Sequence, residues 1–263
     1  MSSKYDVKQT PNIIDILLGK NLGKTIDSDT LIKNVQNRVN NALENGYEYT
    51  RVIDSSERFL RKNVFEQIDM AVLYVDIVGS TKMSMALPSD KLSIMISSFS
   101  QEMSYVIEQF GGYVLKFVGD AVIGYFVENE ENQVPAAYSA VACAESMMKV
   151  VKQGINPILV EKIGLSEIGI KIGVDFGKNV VVRYGADEEK AYVDLLGPTM
   201  NVASKIQNLA KPNQIVVGQE VYAKLDPDVR ESFSNMTDEL VYPWQHYSKD
   251  PDQIYQIYRY KSE

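Results

Sequence analysis

The sequence of 263 residues contains one cysteine, Cys143, and one histidine, His246. One cysteine excludes a disulfide framework, and the two residues together are too few for a zinc site built from cysteine and histidine. Positive charge is also scarce: 27 Lys and Arg stand against 35 Asp and Glu, a net charge of −8, which argues against a nucleic-acid-binding domain. A catalytic histidine would have to be His246. Carboxylates, lysines, hydroxyl groups and hard metal ions remain as the means of catalysis.

Long apolar runs are missing as well. No run approaches the roughly 18 apolar residues that cross a bilayer. Residues 1–9 are polar and lack the basic and apolar regions of a secretory signal. The absence of disulfides fits a reducing compartment. The sequence therefore predicts a cytoplasmic protein without a membrane span and without a nucleic-acid partner.

Residues 1–65 differ in pattern from the rest of the chain. Residues 13–18 form a short apolar patch, and a predicted helix follows with apolar residues at steps of three and four: Ile32, Val35, Val39 and Ala42. A second amphipathic stretch carries Phe59 and Leu60. We interpret residues 1–65 as a helical extension of unknown role that packs on the main domain. The alternative is a coiled-coil stalk that sets the geometry of a dimer, although two heptads give it little support.

From residue 70 onward, predicted strands alternate with predicted helices. The strands lie at 70–75, 113–118, 121–127, 168–175, 180–184, 191–194, 214–217 and near Ile257. The helices lie at about 88–110, 135–151 and 197–210. The order strand, helix, hairpin, helix, strand is that of a ferredoxin-like core. We therefore expect residues 66–263 to form an α+β domain, a ferredoxin-like βαββαβ core with added strands and helices.

Two aspartates occupy similar positions at strand ends. Asp76 follows the strand at 70–75, and Asp120 lies with Gly119 at the tip of a predicted hairpin. If the strands are neighbours, the two carboxylates converge, and a divalent cation such as Mg²⁺ or Mn²⁺ relieves their repulsion. The turn at 79–81 adds backbone N–H groups that can hold phosphate oxygens. The alternative is that each aspartate beside a glycine is only a turn residue.

Three motifs in this order resemble the catalytic domains of the class III nucleotide cyclases, the adenylyl and guanylyl cyclases. They read VDIVGST at 75–81, KFVGD at 116–120 and DLLGPTMNVASK at 194–205, and the likeness covers residues 69–258. The resemblance implies an adenylate cyclase that converts ATP into 3′,5′-cyclic AMP and pyrophosphate. It also implies two Mg²⁺ or Mn²⁺ ions, which assist the attack of the ribose 3′-hydroxyl group on the α-phosphate.

The resemblance assigns roles to single residues. It implies that Asp76, Asp120 and the carbonyl group of Ile77 bind the metal ions, and that Lys116 and Asp194 select the base. Adenine presents an acceptor at N1 and a donor at its 6-amino group, which a lysine and an aspartate match. Guanine reverses this pattern, so the pair favours ATP over GTP.

Further positions are implied to contact the sugar and the phosphates. These are Asn201 at the ribose, Lys205 at the transferring phosphoryl group, and a phosphate-binding set of Gly79, Ser80, Thr81 and Lys171. Taken singly, each residue has a structural alternative. Lys116 fits a partly buried edge residue whose stem covers apolar surface, whereas Asp194 and Asn201 fit helix caps.

Three positions depart from the family pattern. Lys205 stands where the family usually has an arginine, and it lacks the planar fork of that side chain. No Leu-Lys-Gly stretch occurs at 241–249, where Lys249 is a possible substitute for the phosphate-binding lysine. Asp175 ends the strand predicted at 168–175, where many members carry a histidine or an asparagine.

The resemblance also implies a homodimer with composite active sites. One chain supplies Asp76 and Asp120, and the other supplies Lys116, Asp194, Asn201 and Lys205. Three alternatives stay open: a cyclase for GTP or a pyrimidine triphosphate, a degenerate homologue that binds nucleotide without turnover, and a ferredoxin-like interaction module without a nucleotide site.

Overall fold

The computed structural model describes residues 28–45, 52–129, 134–240 and 253–261. The apolar patch predicted at 13–18 and the segment 241–249, with His246 and Lys249, lie outside these ranges. The helices are α1 Ser28–Asn45, α2 Asp54–Lys62, α3 Ser80–Ala86, α4 Ser89–Gln109, α5 Ala136–Lys149, α6 Pro198–Leu209, α7 Gln219–Lys224 and α8 Pro227–Arg230. The strands are β1 Gln67–Ile77, β2 Tyr113–Val118, β3 Ala121–Val127, β4 Ile170–Tyr184, β5 Tyr192–Leu196, β6 Gln214–Gly218, β7 Phe233–Asn235 and β8 Ile257–Tyr260. Within the described ranges, no helix is long and apolar enough to cross a membrane.

The strands form one sheet in the order β2-β3-β1-β4-β6-β8-β7, and β5 pairs with the far end of β4. Strand β1 lies between β3 and β4 and is antiparallel to both. The first four strands with helices α4 and α5 therefore have the βαββαβ order of a ferredoxin-like core, which confirms the predicted fold.

Alternation along β1 defines two faces of the sheet. Ala71, Leu73 and Val75 belong to the larger core cluster on what we call the first face, where α4 and α5 pack. Met70 and Val72 belong to a second cluster on the opposite, second face, which α2 and α6 cover. Helix α6 lies so close to β4 that a Cβ atom on Gly173 would lie 2.3 Å from the backbone nitrogen of Gln207. The second face is therefore covered by the short helix α2 and by the closely seated helix α6.

Several elements differ from their predicted bounds: the strand predicted at 70–75 is Gln67–Ile77 and includes Asp76, and two further differences are larger. The strands predicted at 168–175 and 180–184 are one strand, β4, of 15 residues. The prediction of a break was wrong because Gly177, Lys178 and Asn179 interrupt the apolar alternation while their backbones continue to pair with β1. The helix predicted to end near Val151 continues after α5 in widened π turns, Val150–Ile155 and Leu159–Ile163.

Helix α1 packs on the helices of the first face. Val35 and Val39 are buried, and a Cβ atom on Gly154 would lie 2.7 Å from a Val35 methyl group. Arg38 forms a two-pronged ion pair with the buried Glu102 of α4, with N···O distances of 3.0 and 2.5 Å. These contacts tie α1 to the helical layer on the first face.

Candidate active site

The hairpin between β2 and β3 carries Asp120 to the end of β1, where Asp76 lies. Only Gly119 and Asp120 separate the two hairpin strands, and Val118 pairs with Ala121. Gly119 has φ 63°, a left-handed conformation that glycine adopts without strain. Because β3 pairs with β1, the tip of this hairpin lies beside the last residues of β1. The structure therefore brings the two aspartates together at one edge of the sheet, as the sequence predicts.

The two carboxyl groups are within hydrogen-bonding distance of each other. Burial, the hydrogen bond to Asp120 and the charge of Asp120 raise the pKa of Asp76 to about 7. The backbone N–H group of Ile77 donates to Asp120 Oδ2 at 3.2 Å. Such a pair is stabilised by a shared proton or by a cation between the carboxylates. The donor set thus fits a hard divalent cation.

In the part of the chain that the structure describes, no third Asp, Glu, His or Cys completes a cage of protein ligands around this pair. Mg²⁺ commonly binds through one or two carboxylates and leaves its other positions to water and to substrate phosphates. Asp76 and Asp120 are a donor set of that kind. The proposed role of the Ile77 carbonyl group as a further ligand stays a prediction.

Lys171 lies beside Asp76 on the neighbouring strand. The two residues are register partners in the β1–β4 ladder, and the positive charge of Lys171 acts to lower the pKa of Asp76. Lys171 Nζ also donates to the carbonyl oxygen of Asn208 at 3.5 Å. The positive charge of Lys171 is therefore held next to the carboxylate pair, and phosphate binding by Lys171 stays a prediction.

The turn at 79–81 begins three residues after Asp76. Gly79 has φ 75° and precedes α3, whose first two residues are Ser80 and Thr81. The first N–H groups of a helix have no acceptor within the helix, so they are free to bind other acceptors. The structure places this turn directly after the end of β1 that carries Asp76, and phosphate binding by its three residues stays a prediction.

Lys116 of β2 and Asp194 of β5 form an ion pair through Lys116 Nζ and Asp194 Oδ2. The side chain of Asp194 is 12% exposed and that of Lys116 is 31% exposed. The second oxygen of Asp194 accepts a hydrogen bond of 2.9 Å from the Leu195 N–H group. Asp194 caps no helix through an observed bond, so its structural alternative does not hold. Lys116 is paired and is also a partly buried residue of the edge strand β2, so both interpretations of Lys116 stay open. The structure brings together the two residues that the resemblance assigns to base selection.

A β-bulge in β2 makes this ion pair possible. The β2–β3 register shifts between Val114 and Lys116, so that Leu115 is the extra residue. Strict alternation from Tyr113 would place Lys116 on the first face, whereas the bulge turns it to the second face opposite Ile123. The sequence gives no clear signal for this bulge.

Tyr74 is a site residue that the sequence interpretation missed. It lies on β1 two residues before Asp76 and packs against the second-face cluster. Burial raises the pKa of Tyr74, and the negative charge of Asp194 raises it further, so the phenol is close to Asp194. Alternation along β1 places Tyr74 and Asp76 on the same face, and this signal was available in the sequence.

Asn201 and Lys205 lie four residues apart on α6, and both are exposed. The buried residues of this helix include Ala203, Ile206 and Gln207, which face the sheet. Asn201 and Lys205 therefore share the side of α6 that faces away from its own sheet. That placement suits contacts with a second chain, and their roles at the ribose and the phosphoryl group stay predictions.

Asp175 lies in the middle of β4 rather than at a strand end. Its carboxyl group is buried and accepts a hydrogen bond from the hydroxyl group of Tyr255, which in turn accepts one from the Glu220 N–H group at 3.3 Å. Burial raises the pKa of Asp175 to about 7. These contacts make Asp175 an internal anchor for the C-terminal segment.

This buried carboxyl group should make stability depend on pH. In the unfolded chain it titrates near its ordinary pKa of about 3.9, whereas in the folded chain its pKa is about 7. The raised pKa contributes stability that is fully present below about pH 4, where both states are protonated, and that is lost as the pH rises to about 7. We expect Asp175→Asn to reduce the difference in unfolding free energy between pH 5 and pH 8 by roughly 2 kcal/mol. Urea unfolding at both pH values tests this, with the exposed Asp228→Asn as the control; equal pH dependence in both variants would contradict it.

Comparisons with known proteins agree with this geometry. The model of the adenylate and guanylate cyclase catalytic domain matches residues 63–250. A cytidylate cyclase from Staphylococcus aureus is 30% identical over 168 residues, which cover 63% of this chain and 39% of that protein. A uridylate cyclase from Rhodovulum sp. is 32% identical over 151 residues, 54% of this chain and 59% of that protein. An adenylate cyclase from Anabaena cylindrica is 28% identical over 167 residues, 63% of this chain and 32% of that protein.

These alignments span between 32% and 59% of the relatives' own length. Among solved structures, the adenylyl cyclase CyaB from P. aeruginosa matches with a TM-score of 0.60 and 23% identity. That match covers 75% of this chain and 96% of the other. At this level of identity it shows a shared fold.

Proposed function

The chain belongs to the adenylate and guanylate cyclase catalytic domain family, the class III nucleotide cyclases, and on that premise we propose that it converts a nucleoside triphosphate into a 3′,5′-cyclic nucleotide and pyrophosphate. The observation that carries the proposal is the convergence of Asp76 and Asp120 at one edge of the sheet. Two carboxylates held together against their mutual repulsion are the donor set that two-metal phosphoryl transfer uses. This pair favours turnover over binding alone.

In the proposed reaction, the ribose 3′-oxygen forms a bond to the α-phosphorus while the bond from that phosphorus to the bridging oxygen of pyrophosphate breaks. The 3′-hydroxyl proton leaves to solvent or base. Two divalent cations, when bound by Asp76 and Asp120, supply charge neutralisation at the nucleophile and the triphosphate. Lys171 and the turn at 79–81 hold phosphate oxygens beside this pair. Asn201 orients the ribose, and Lys205 stabilises charge on the phosphoryl group.

The base is read by Lys116 and Asp194, and we propose that the preferred substrate is ATP. Lysine donates to the N1 acceptor of adenine, and aspartate accepts from the 6-amino group. Guanine and uracil present the opposite pattern and would leave both groups badly paired in a partly buried pocket.

CTP is the second candidate, because cytosine presents the same pattern as adenine, with an acceptor at N3 and a donor at its 4-amino group. A specific observation favours it: a relative similar to this chain is named a cytidylate cyclase. The relatives' names span three bases, so the choice between a purine and a pyrimidine rests on the pocket of this chain. Tyr74, close to Asp194, is a residue that would limit the size of that pocket.

A product assay with ATP, GTP, CTP and UTP in the presence of Mn²⁺ tests the function and the base together. We expect cyclic AMP to be the main product. Cyclic CMP as the main product would select the second candidate, whereas a preference for GTP or UTP would contradict base selection by Lys116 and Asp194. Calorimetric binding of ATP and Mn²⁺ without release of pyrophosphate would identify a binding protein instead.

Breaking the base-selecting ion pair should lower discrimination. We expect Lys116→Ala or Asp194→Ala to reduce kcat/KM for the preferred triphosphate about 10²-fold, because each leaves its partner's charge unpaired and the base unread. The advantage of ATP over GTP should fall by a similar factor. Steady-state kinetics with both nucleotides measures this, and Lys178→Ala, an exposed lysine of β4, is the control. An unchanged ATP-to-GTP ratio would contradict the assignment.

We also infer that the protein acts as a homodimer in which each site takes residues from two chains. Exposed apolar side chains flank both parts of the site: Phe117 and Val118 precede the Asp120 hairpin, and Leu196 follows Asp194, with exposures of 42%, 56% and 58%. Exposed apolar side chains grouped in this way are favourably buried against another protein surface. A second copy would cover these side chains and would present Asn201 and Lys205 to the carboxylate pair. A cytoplasmic location stays a prediction from the sequence.

A further inference from the structure

Helix α2 contacts both strands that carry the base-selecting pair. Lys116 lies on β2 and Asp194 on β5, and strands β3, β1 and β4 lie between them in the hydrogen-bonding order of the sheet. No ladder joins β2 directly to β5, so the distance between the two side chains depends on four successive ladders and on what packs across them. Helix α2 packs across the second face and touches β2 as well as β5. It is placed to fix their separation.

On the β2 side, the contact is aromatic. Phe59 of α2 stacks on Tyr113 with ring centroids 5.1 Å apart, and Tyr113 stacks on Tyr125 of β3 at 5.2 Å. Ser56 of α2 shares a buried hydrogen bond of 3.0 Å with the Tyr125 hydroxyl group. Tyr113 begins β2 two residues before Leu115, the bulge residue that turns Lys116 to the second face. The helix thus holds the segment on which the direction of Lys116 depends.

On the β5 side, the contact is polar. Arg61 Nη1 donates to the backbone carbonyl oxygen of Glu188 at 2.8 Å, in the connection between β4 and β5. The carboxylate of Glu188 pairs with Arg183 of β4 at 3.0 Å. Arg61 is itself oriented by Glu57, one turn earlier on α2, at 3.0 Å. The same helix therefore holds the connection that leads into β5 and Asp194.

We propose that Phe59 and Arg61 are positioning residues for base selection: they hold β2 and β5 at the separation at which Lys116 and Asp194 meet. The inference rests on the proposed function, because the pair is taken to read the base. Neither residue needs to touch the nucleotide. If the contact of Phe59 or of Arg61 is loosened, the ion pair of Lys116 and Asp194 opens. The triphosphate whose base matches this pair then loses its advantage in kcat/KM over the other triphosphates.

Kinetics on the full chain test the proposal. In Phe59→Leu and Arg61→Ala we expect kcat/KM for the preferred triphosphate to fall about tenfold while that for the poorest triphosphate barely changes. Phe59→Tyr keeps the ring and should restore discrimination. Tyr222→Leu is the matched control, since it removes a stack on Tyr258 at the opposite end of the sheet. An equal loss for all triphosphates, or an unchanged ratio, would overturn the proposal.

A second measurement needs no nucleotide. The rate at which Lys116 is acetylated by a water-soluble amine reagent, followed by mass spectrometry, reports how often its ion pair opens. We expect this rate to rise about fivefold in Phe59→Leu and Arg61→Ala, toward the rate in Asp194→Ala, and to stay unchanged in Tyr222→Leu. No rise in either variant would overturn the proposal. A rise in a chain that turns over no triphosphate would support the positioning role and contradict the proposed function instead.

Discussion

Replacing Asp76 or Asp120 with alanine is expected to abolish Mn²⁺-dependent formation of cyclic nucleotide, with a loss of at least about 10³-fold in kcat. Each variant keeps one carboxylate, which is too few to hold two cations at the triphosphate. The reaction then loses charge neutralisation at both the attacking and the leaving oxygen atoms. Initial rates of pyrophosphate release over a range of Mn²⁺ concentrations measure the effect.

Folding has to be separated from catalysis in this experiment. Asp69→Ala is a suitable control, because Asp69 lies near the start of the same strand and alternates to the opposite face from Asp76. Without metal, the two active-site variants should unfold at the same or a higher urea concentration than the unchanged chain, since each removes one member of a repelling pair. Full activity in both variants would show that the proposed metal chemistry is wrong.

Mixing the Asp76→Ala and Lys116→Ala variants is expected to restore part of the activity that each variant has lost. A homodimer with composite sites made from equal amounts of Asp76→Ala and Lys116→Ala chains forms heterodimers in about half of the molecules. In each heterodimer one site carries both defects and the other carries none. Recovery should therefore approach about one quarter of the activity of the unchanged protein. Titration of one purified variant with the other, followed by product formation, measures it.

The control for this experiment is a mixture of Asp76→Ala with Asp120→Ala. Both defects lie in the half-site that one chain supplies, so every site in the mixture retains a damaged carboxylate pair. No recovery is expected. Equal recovery in the two mixtures, or none in either, would contradict the proposed division of the site between chains.

The convergence of the two aspartates could be predicted from the sequence because it depends on short-range signals. Gly119 and Asp120 between two β-rich runs predict a two-residue hairpin, and the order of elements predicts that its second strand pairs with β1. Local chain geometry and one topological rule thus place Asp120 beside Asp76. The ferredoxin-like core follows from the same two kinds of information.

Other features depend on tertiary contacts and could not be predicted in this way. The bulge at Leu115 changes the face of Lys116 through a register shift that alternation alone does not reveal. The continuity of β4 through Gly177 to Asn179 arises from backbone pairing with β1, in spite of weak local strand preference. The position of α2 over both β2 and β5 depends on stacking between residues that are far apart in sequence.

The site residues occupy strands that differ in how many neighbours they have, so the residues differ in how readily their surroundings can change during evolution. Asp76 belongs to β1, which is flanked on both edges by other strands, so changes in its surroundings disturb two ladders at once. Lys116 lies on β2 at the margin of the sheet, and Asp194 lies on β5, which pairs with β4 alone. Substitutions of Lys116 or Asp194 leave the two ladders of β1 intact. If Lys116 and Asp194 read the base as proposed, a lineage built on this sheet can exchange one nucleobase for another while β1 and Asp76 stay unchanged; relatives of similar identity are named for three different bases.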